Sequence, residues 1–262
     1  MNRADKESSG AEAPQILVLG KALSILDAFT PERPALALAE IRRTTGLPAS
    51  TCLRLVRDLV AHEVLTYDGT EYRVGMSVFR WARSAEAGFS LATIEPLVAQ
   101  LRDALKETCG LFIRSGTERV CVAVAEDTAN HSLIRKLYKG HALPLYVGSP
   151  GKVLLAFDTQ AQELLGGRSL VAMTDHTITD RDALARELDQ IRRQGYAASF
   201  GEWESDLAGV AAPVFDREGQ IVGALAVSAP ISRMSLKSLS RTAATVTQIA
   251  AEASTRLGHP RK

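Results

Sequence analysis

Residues 36–65 read LALAEIRRTTGLPASTCLRLVRDLVAHEVL and predict two short helices joined by a tight turn. Gly46 suits the end of the first helix, and Pro48 lies just ahead of Ser50 and Thr51, which are candidate N-caps of the second helix. Such a pair, with Arg, Ser and Thr on the second helix, is typical of the helix-turn-helix that enters the major groove of DNA. On this stretch alone, a helical hairpin in an all-α domain remains the alternative.

Apolar spacing assigns one face of each helix to the core. The predicted core positions are Leu38, Ile41 and Thr45 on the first helix and Leu53, Val56, Leu59 and Val60 on the second. This pattern leaves Arg54 and Arg57 exposed. Four arginines lie between positions 42 and 57, and the next acid is Asp58. Exposed arginines supply contacts to DNA phosphates, although an ordinary solvated helix face would carry them as well.

A β-hairpin is predicted directly after the second helix. The β-prone segments 64–67 and 72–74 flank Asp68-Gly69-Thr70-Glu71, and a short Asp-Gly connection between such segments favours a hairpin. A further helix is predicted upstream, from Ile16 to Phe29. Three helices followed by a hairpin describe a winged helix. Because a generic helical bundle does not require a hairpin, this order favours DNA binding.

Composition bounds the class of protein. With 262 residues and 46% hydrophobic content, the chain is predicted to bury a sizeable core and to form two domains. The formal net charge is only +1, so a DNA binder of this composition must concentrate its basic residues locally. The three cysteines lie far apart without a CxxC pair, which indicates a reducing compartment. Since no apolar run approaches the roughly 20 residues of a membrane span, we expect a cytoplasmic protein without membrane association.

A linker helix is predicted to separate the two domains. We expect a disordered tail at residues 1–14, a winged helix-turn-helix at 15–75, a linker helix at 76–90 that contacts a dimer partner, and a second domain at 91–262.

Helices and strands alternate in the second domain. The predicted strands are 111–114, 120–125, 132–138, 210–215 and 221–228, and the predicted helices are 91–107, 150–157, 161–165, 179–194 and 235–257. Strands paired by hairpins, with helices before and after, favour an α+β domain in which an antiparallel sheet carries helices on one side.

Motifs for catalysis are missing. A phosphate loop around Gly151-Lys152 would need glycine at Tyr146 and Ser or Thr at Val153. The histidines are scattered without metal-ligand spacing, and Asp175 beside His176 has no partner serine that the sequence identifies. We therefore expect no enzyme, no catalytic residue, no metal and no cofactor.

A small-molecule pocket is the more credible site in the second domain. Residues 146–152 form a glycine-rich turn into a helix, and the free N–H groups at a helix N-terminus favour an anion. Opposite this turn we expect the strands 209–215 and 221–228, with a hydroxyl from Ser228. The alternative is that these glycines only serve turns.

Several stretches together resemble the IclR family of bacterial transcriptional regulators. They are KALSILDAF, LALAEIRRTTGLPASTCLRLVRDLV, EYRVG, LPLYVGSPGKVLLAF, HTITDRDALARELDQIRRQGYA, GVAAPVFDREGQIVGALAVSAPISR and the closing helix. They follow one another in family order from about residue 16 to the end. The resemblance implies an N-terminal winged helix-turn-helix, a linker helix used in dimerisation and a C-terminal effector domain with a GAF-like fold. It also implies dimers or dimer pairs on palindromic operators, controlled by small organic acids or aromatic metabolites.

The residue pattern and the resemblance together give two predicted sites. The family's base-reading segment falls on Ser50, Thr51 and Arg54, with Arg57 at a phosphate. The predicted DNA contacts are Arg42, Arg43, Ser50, Thr51, Arg54, Arg57, Thr70 and Arg73. The predicted effector residues are Tyr146, Gly148, Ser149, Gly151, Ser199, Leu207, Gly209 and Ser228.

The expected partners are a palindromic double-stranded DNA operator, a small-molecule effector and further copies of the chain in a homodimer or tetramer. The alternative function is a GAF-type small-molecule sensor or a metabolic enzyme whose N-terminal domain makes protein contacts only.

Overall fold

The computed structural model describes residues 18–87, 91–127, 137–234 and 236–260. These residues belong to two compact units, 1–88 and 89–262. The predicted tail at 1–14 lies outside the described residues. Within the described part of the chain, none of the helices combines the length and apolar character needed to span a bilayer.

The first unit is a winged helix. Its elements are α1 (Leu19–Leu26), β1 (Ala35–Leu36), α2 (Leu38–Thr45), α3 (Ala49–Ala61), β2 (Leu65–Tyr67), β3 (Tyr72–Val74) and α4 (Ser77–Ala87). The predicted hairpin is confirmed as β2 and β3, and β1 joins them in an antiparallel sheet of order β1-β3-β2. Sequence periodicity does not reveal β1, because two residues are too short to show alternation.

The turn between α2 and α3 forms as its sequence indicates, but the start of α3 differs. Gly46 ends α2 in the left-handed region with φ +66°, which glycine adopts without strain. Pro48 is the N-cap of α3 and no side chain caps this end, so the prediction of Ser50 or Thr51 as N-cap is wrong. Ser50 and Thr51 both lie in the first turn of α3, directly after Pro48, whose fixed φ angle is compatible with the start of a helix.

The buried stripe of α3 is displaced from the predicted one. The fully buried residues are Cys52, Leu55 and Val56, whereas Leu53 is only half-buried. Leu53 and Cys52 are neighbours, and the sulfur of cysteine packs as a small hydrophobic group. Cys52, not Leu53, belongs to the buried cluster of this unit together with Ile25 and Ile41. Arg54 and Arg57 are exposed, as predicted.

The second unit is built on a six-stranded antiparallel sheet of order β6-β5-β4-β9-β8-β7. Its strands are β4 (Thr108–Ser115), β5 (Glu118–Ala125), β6 (Ala142–Pro144), β7 (Ala197–Phe200), β8 (Leu207–Phe215) and β9 (Ile221–Pro230). Its helices are α5 (Leu91–Leu105), α6 (Gly148–Phe157), α7 (Thr159–Leu165), α8 (Arg181–Gln194) and α9 (Leu236–Arg256).

Helices cover both faces of this sheet, so the prediction of helices on one side is wrong. On one face Val210 and Leu225 belong to a core shared with α5 and α9, and on the other Ala211 and Ala224 pack with residues of α6. The central strands β8 and β9 are apolar at almost every position, as strands buried on both faces are.

Three further local differences between sequence and structure concern the second unit. The strand predicted at 132–138 lies outside the described residues except for Leu137 and Tyr138, which are not in a strand. The edge strands β6 and β7 were not predicted, because each is short and its sequence lacks a clear alternation. Helix α8 begins at Arg181, two residues after the predicted start at 179, and is capped by Asp180, whose carboxylate accepts a hydrogen bond from Ala183 N at 2.7 Å.

Candidate DNA-binding and effector-binding sites

The exposed face of α3 carries three of the predicted DNA contacts. Ser50, Arg54 and Arg57 follow at intervals of four and three residues, share one side of the helix and are exposed, whereas Thr51 is half-buried. Among the described residues of this unit, the ion pairs all involve other arginines. The guanidinium groups of Arg54 and Arg57 are therefore available to another molecule.

The arginines of α2 differ in their surroundings. Arg42 and Arg43 are both exposed. Arg43 lies 4.0 Å from Glu40 Oε1, which also lies 3.5 Å from Arg33. Because surface ion pairs of this kind contribute little, a phosphate could replace Glu40 as the partner of Arg43 at small cost.

The wing uses its own polar side chains for its turn. The Asp68 carboxylate accepts hydrogen bonds from Thr70 N, Thr70 Oγ1 and Glu71 N, and these bonds hold the pKa of Asp68 well below its usual range. Arg73 lies 3.6 Å from Asp68 and 3.3 Å from Glu71. Thr70 and Arg73 thus have partners within the wing, and their contact with DNA stays a prediction.

A small, partly open cavity in the second unit, lined mainly by buried residues, gathers most of the predicted effector residues. Its volume is about 30 Å³, room for about two water molecules. The predicted residues that line it are Gly148, Ser149, Ser199, Leu207, Gly209 and Ser228. Sequence reasoning missed the other lining residues, which are Phe112, Arg119, Leu137, Pro150, Glu202, Trp203 and Ala208. The site therefore combines the N-terminus of α6 with strands β4, β5, β7, β8 and β9 and the loop before β8.

The N-terminus of α6 is bound by side chains from across the sheet. Gly148 N donates a hydrogen bond to the Glu202 carboxylate at 2.9 Å, and Ser149 N donates one to Ser199 Oγ at 3.0 Å. Glu202 is buried and its other oxygen lies 2.5 Å from the Nζ of Lys152, which is 1% exposed. Lys152 also lies 2.8 Å from Glu187. This network fixes the helix end against the loop that carries Glu202.

Ser149 presents an unused hydroxyl to the cavity. Its side chain is 1% exposed, and its Oγ has no hydrogen-bond partner among the described residues. Gly209 lies directly against this hydroxyl, since a Cβ on Gly209 would lie only 3.0 Å from Ser149 Oγ. A buried hydroxyl without a partner is uncommon in folded proteins and marks a position where a bound molecule would be favourable.

Arg119 is the charged residue that sequence reasoning missed. It is 4% exposed, its guanidinium lies 4.7 Å from the centre of the Phe112 ring, and its Nε donates a long hydrogen bond of 3.4 Å to Val147 O. Burial lowers the pKa of Arg119 to about 10, so the group remains a cation at neutral pH. Its place directly after a predicted turn is typical of an exposed arginine, and only the tertiary structure reveals its burial.

Two predicted effector residues do not line the cavity. The Tyr146 hydroxyl donates to Val171 O at 3.0 Å and accepts from Val171 N at 2.9 Å, which ties the loop after α7 to the start of α6. Gly151 packs against the carbonyl of Leu145, and a Cβ at this position would overlap that oxygen. Their positions indicate that both residues shape the surroundings of the cavity.

We expect Gly151→Ala to lower the free energy of unfolding by about 1–3 kcal/mol, because the added methyl group forces backbone atoms of α6 and Leu145 apart. Thermal or denaturant unfolding measures the effect. Gly20→Ala is the matched control, since a Cβ on Gly20 in α1 meets nothing within 4 Å. Equal stability of the two variants would contradict the proposed packing role.

A wider groove of about 710 Å³ lies elsewhere in the second unit, between α9 and β8. Its walls include Phe157 and Phe215, and its charged side chains Arg192 and Glu252 are already paired with Asp189 and Arg256. Because it offers neither an unused buried donor nor an uncompensated charge, the smaller cavity is the better candidate for selective binding.

Comparison with known proteins assigns both units to one family. Residues 18–69 match the model of the IclR helix-turn-helix domain, and residues 91–255 match that of the bacterial transcriptional regulator IclR C-terminal domain. The HTH-type transcriptional regulator BhcR of Paracoccus denitrificans is 32% identical over 245 residues, which cover 91% of this chain and 86% of BhcR. The Pca regulon regulatory protein of Pseudomonas putida is 29% identical over 224 residues, covering 84% of this chain and 77% of that protein.

Solved structures show the same fold. The crystal structure of an IclR-type regulator from Silicibacter sp. TM1040 superposes with a TM-score of 0.79 at 26% identity, covering 94% of this chain and 98% of that one. The C-terminal domain of the Escherichia coli regulator KdgR is 30% identical, with a TM-score of 0.57, and covers 64% of this chain and 98% of that one. With a winged helix, an antiparallel-sheet domain and both family models in place, the chain belongs to the IclR family of DNA-binding bacterial transcriptional regulators.

Proposed function

We propose that this regulator binds a palindromic operator as a homodimer or tetramer in the bacterial cytoplasm, and that a small organic acid or aromatic metabolite in this cavity changes its operator affinity. The single observation that carries the effector proposal is the cavity itself, whose lining at the N-terminus of α6 includes the unpartnered Ser149 hydroxyl and the buried Arg119 cation. These groups suit a bound acid, and we propose no catalytic role for them.

Exposed apolar side chains support self-association through the first unit. Surfaces of monomeric proteins rarely present large contiguous apolar patches. On α1 and just before and within α4, large apolar side chains are more than one-third exposed, namely Leu19, Leu23, Met76, Phe79 and Trp81. A dimer formed on these helices would carry two copies of α3, which a two-fold operator requires to lie about one DNA turn apart.

The loop from Gly201 to Asp206 is the part of the cavity lining that we expect to move when a ligand binds. It has neither helix nor strand, and it carries both Glu202 and Trp203 into the cavity lining. Because the cavity is small, a ligand of more than a few atoms must move part of this lining. The ligand then favours whichever arrangement binds it more tightly, and operator affinity shifts with the populations.

Arg54→Ala is expected to weaken operator binding by about 1–3 kcal/mol if Arg54 reads a base edge, because an exposed guanidinium is lost from α3. A gel-shift titration on the DNA upstream of the protein's own gene measures this loss. Arg186→Ala, which removes an exposed arginine from α8, is the control. Unchanged affinity of Arg54→Ala would remove Arg54 from the contact set.

A further inference from the structure

The residues that line the cavity indicate which class of ligand it binds, and this inference rests on the proposed effector function. We infer that Arg119 is the specificity-determining residue: its guanidinium binds the carboxylate of a small hydroxylated monocarboxylic acid, and the Ser149 hydroxyl donates a second hydrogen bond to it.

The first support is the buried Arg119 guanidinium, which has no carboxylate in contact among the described residues. Among the described residues, Arg119 is in no ion pair, and one long bond to Val147 O uses one of its five N–H donors. The Glu202 carboxylate in the lining attracts the Arg119 cation from beyond ion-pair distance, and it already holds Lys152 and Gly148 N. A buried guanidinium with no carboxylate in contact is unfavourable, and a ligand carboxylate supplies that contact with a geometry that the guanidinium fork matches.

The second support is the convergence of donors on one space. A Cβ on Gly148 would lie 3.6 Å from Arg119 Nη2, and a Cβ on Gly209 would lie 3.0 Å from Ser149 Oγ. Arg119 and Ser149 both line the small cavity at the N-terminus of α6, a helix of ten residues. The dipole of that helix adds to the attraction of an anion.

The other residues of the cavity lining favour a monocarboxylic acid that also carries a hydroxyl group. Glu202 would repel a second carboxylate, so the site selects against dicarboxylates. The Glu202 carboxylate and the Ser228 hydroxyl can accept a hydrogen bond from a ligand hydroxyl on the same short frame. Apolar walls from Phe112, Leu137 and Trp203 suit the carbon atoms between these groups.

Acids and their amides separate recognition of charge from recognition of shape. We would titrate the full-length protein with acetate, glycolate, lactate and benzoate, each beside its amide and with succinate as the dicarboxylate, by calorimetry. The variants are Arg119→Met, which keeps length without charge, Arg119→Lys and Ser149→Ala. The control is Arg193→Met, which removes an exposed arginine of α8.

The wild type and Arg193→Met should bind glycolate or lactate tenfold or more tightly than its amide, and more tightly than acetate or succinate. Arg119→Met should bind acid and amide equally, Arg119→Lys should recover part of the preference, and Ser149→Ala should weaken the acid only. The response of operator affinity to the acid should be lost in Arg119→Met and kept in the control Arg193→Met. Should Arg119→Met fail to fold, Arg119→Lys and Ser149→Ala carry the test.

Two results would overturn the inference, and they differ in what else they remove. If the wild type and Arg119→Met prefer an acid over its amide to the same extent, Arg119 is not the recognising residue and the effector proposal stands. If no acid or amide binds the wild type or changes its operator affinity, the effector proposal fails and the role of Arg119 fails with it.

Discussion

Replacing Lys152 with alanine is expected to lower the free energy of unfolding of the second unit by about 3–5 kcal/mol, because it breaks a buried ion pair and leaves its partner behind. Lys152 Nζ lies 2.5 Å from Glu202 and 2.8 Å from Glu187. Glu202 is itself buried, so its carboxylate would lose its counter-charge without gaining water. The loss of packing around the four-carbon stem of the lysine adds to this effect.

Comparison of variants separates the charge from the packing. The double variant Lys152→Met/Glu202→Gln removes both charges of the closest pair, and should be less destabilised than Lys152→Ala because no uncompensated Glu202 charge remains. Lys139→Ala is the exposed control, since Lys139 pairs with Glu95 at 2.7 Å on the surface, and it should cost about 1 kcal/mol or less. If Lys152→Ala proves no more costly than Lys139→Ala in denaturant unfolding, the network is not a structural support of α6.

The winged helix could be predicted from sequence because its determinants are local. The turn at Gly46 and the hairpin at 65–74 each depend on a few adjacent residues. Prediction failed where neighbours compete for the same place, as Cys52 and Leu53 do on α3. Both residues are apolar enough to pack, and the helix angle that decides between them depends on Ile25 and Ile41, which come from other helices.

The cavity could be predicted only in part, since its polar groups come from distant segments. The glycine-rich start of α6 and the serines facing it were identifiable as types suited to a binding site. The pairing of Lys152 with Glu202 joins residues 50 positions apart, and no local pattern indicates it. The same holds for Arg119, whose strand is covered by α6 and the Phe112 ring only after the sheet has formed.

Helices on both faces of the sheet were missed for a related reason. The hairpin pattern of β8 and β9 indicates antiparallel pairing, and such sheets often expose one face to water. The almost continuous apolar sequence from Val210 to Val214 is the feature that indicates two buried faces. Strand pairing alone therefore predicts the antiparallel sheet correctly, whereas the number of faces that helices cover depends on strand burial.

Operator binding is expected to fall about 10²- to 10³-fold when monovalent salt is raised from 50 to 200 mM, because log affinity falls with log salt by about 0.9 per phosphate contact. Each chain presents Arg42 and Arg57 without an ion pair among the described residues, and Arg43 with a weak one, whereas Arg54 is assigned to a base edge. In the proposed dimer the phosphate-contacting arginines are duplicated, which gives about four to six candidate contacts. Because the overall charge of the chain is only +1, this local cluster must supply the electrostatic affinity.

The salt dependence also distinguishes the arginines from one another. Arg57→Ala should reduce the magnitude of the slope of log affinity against log salt by about 0.9 per chain, and thus by about 1.8 in a dimer. The reason is that each lost phosphate contact leaves about one counter-ion on the DNA that binding would otherwise release. Arg73→Ala should reduce it less, since Arg73 already pairs with Asp68 and Glu71 in the wing. Gel-shift titrations at several salt concentrations measure both slopes. A larger change for Arg73 than for Arg57 would show that the wing exchanges its internal ion pairs for phosphate, and would assign the main electrostatic contact to the wing instead of α3.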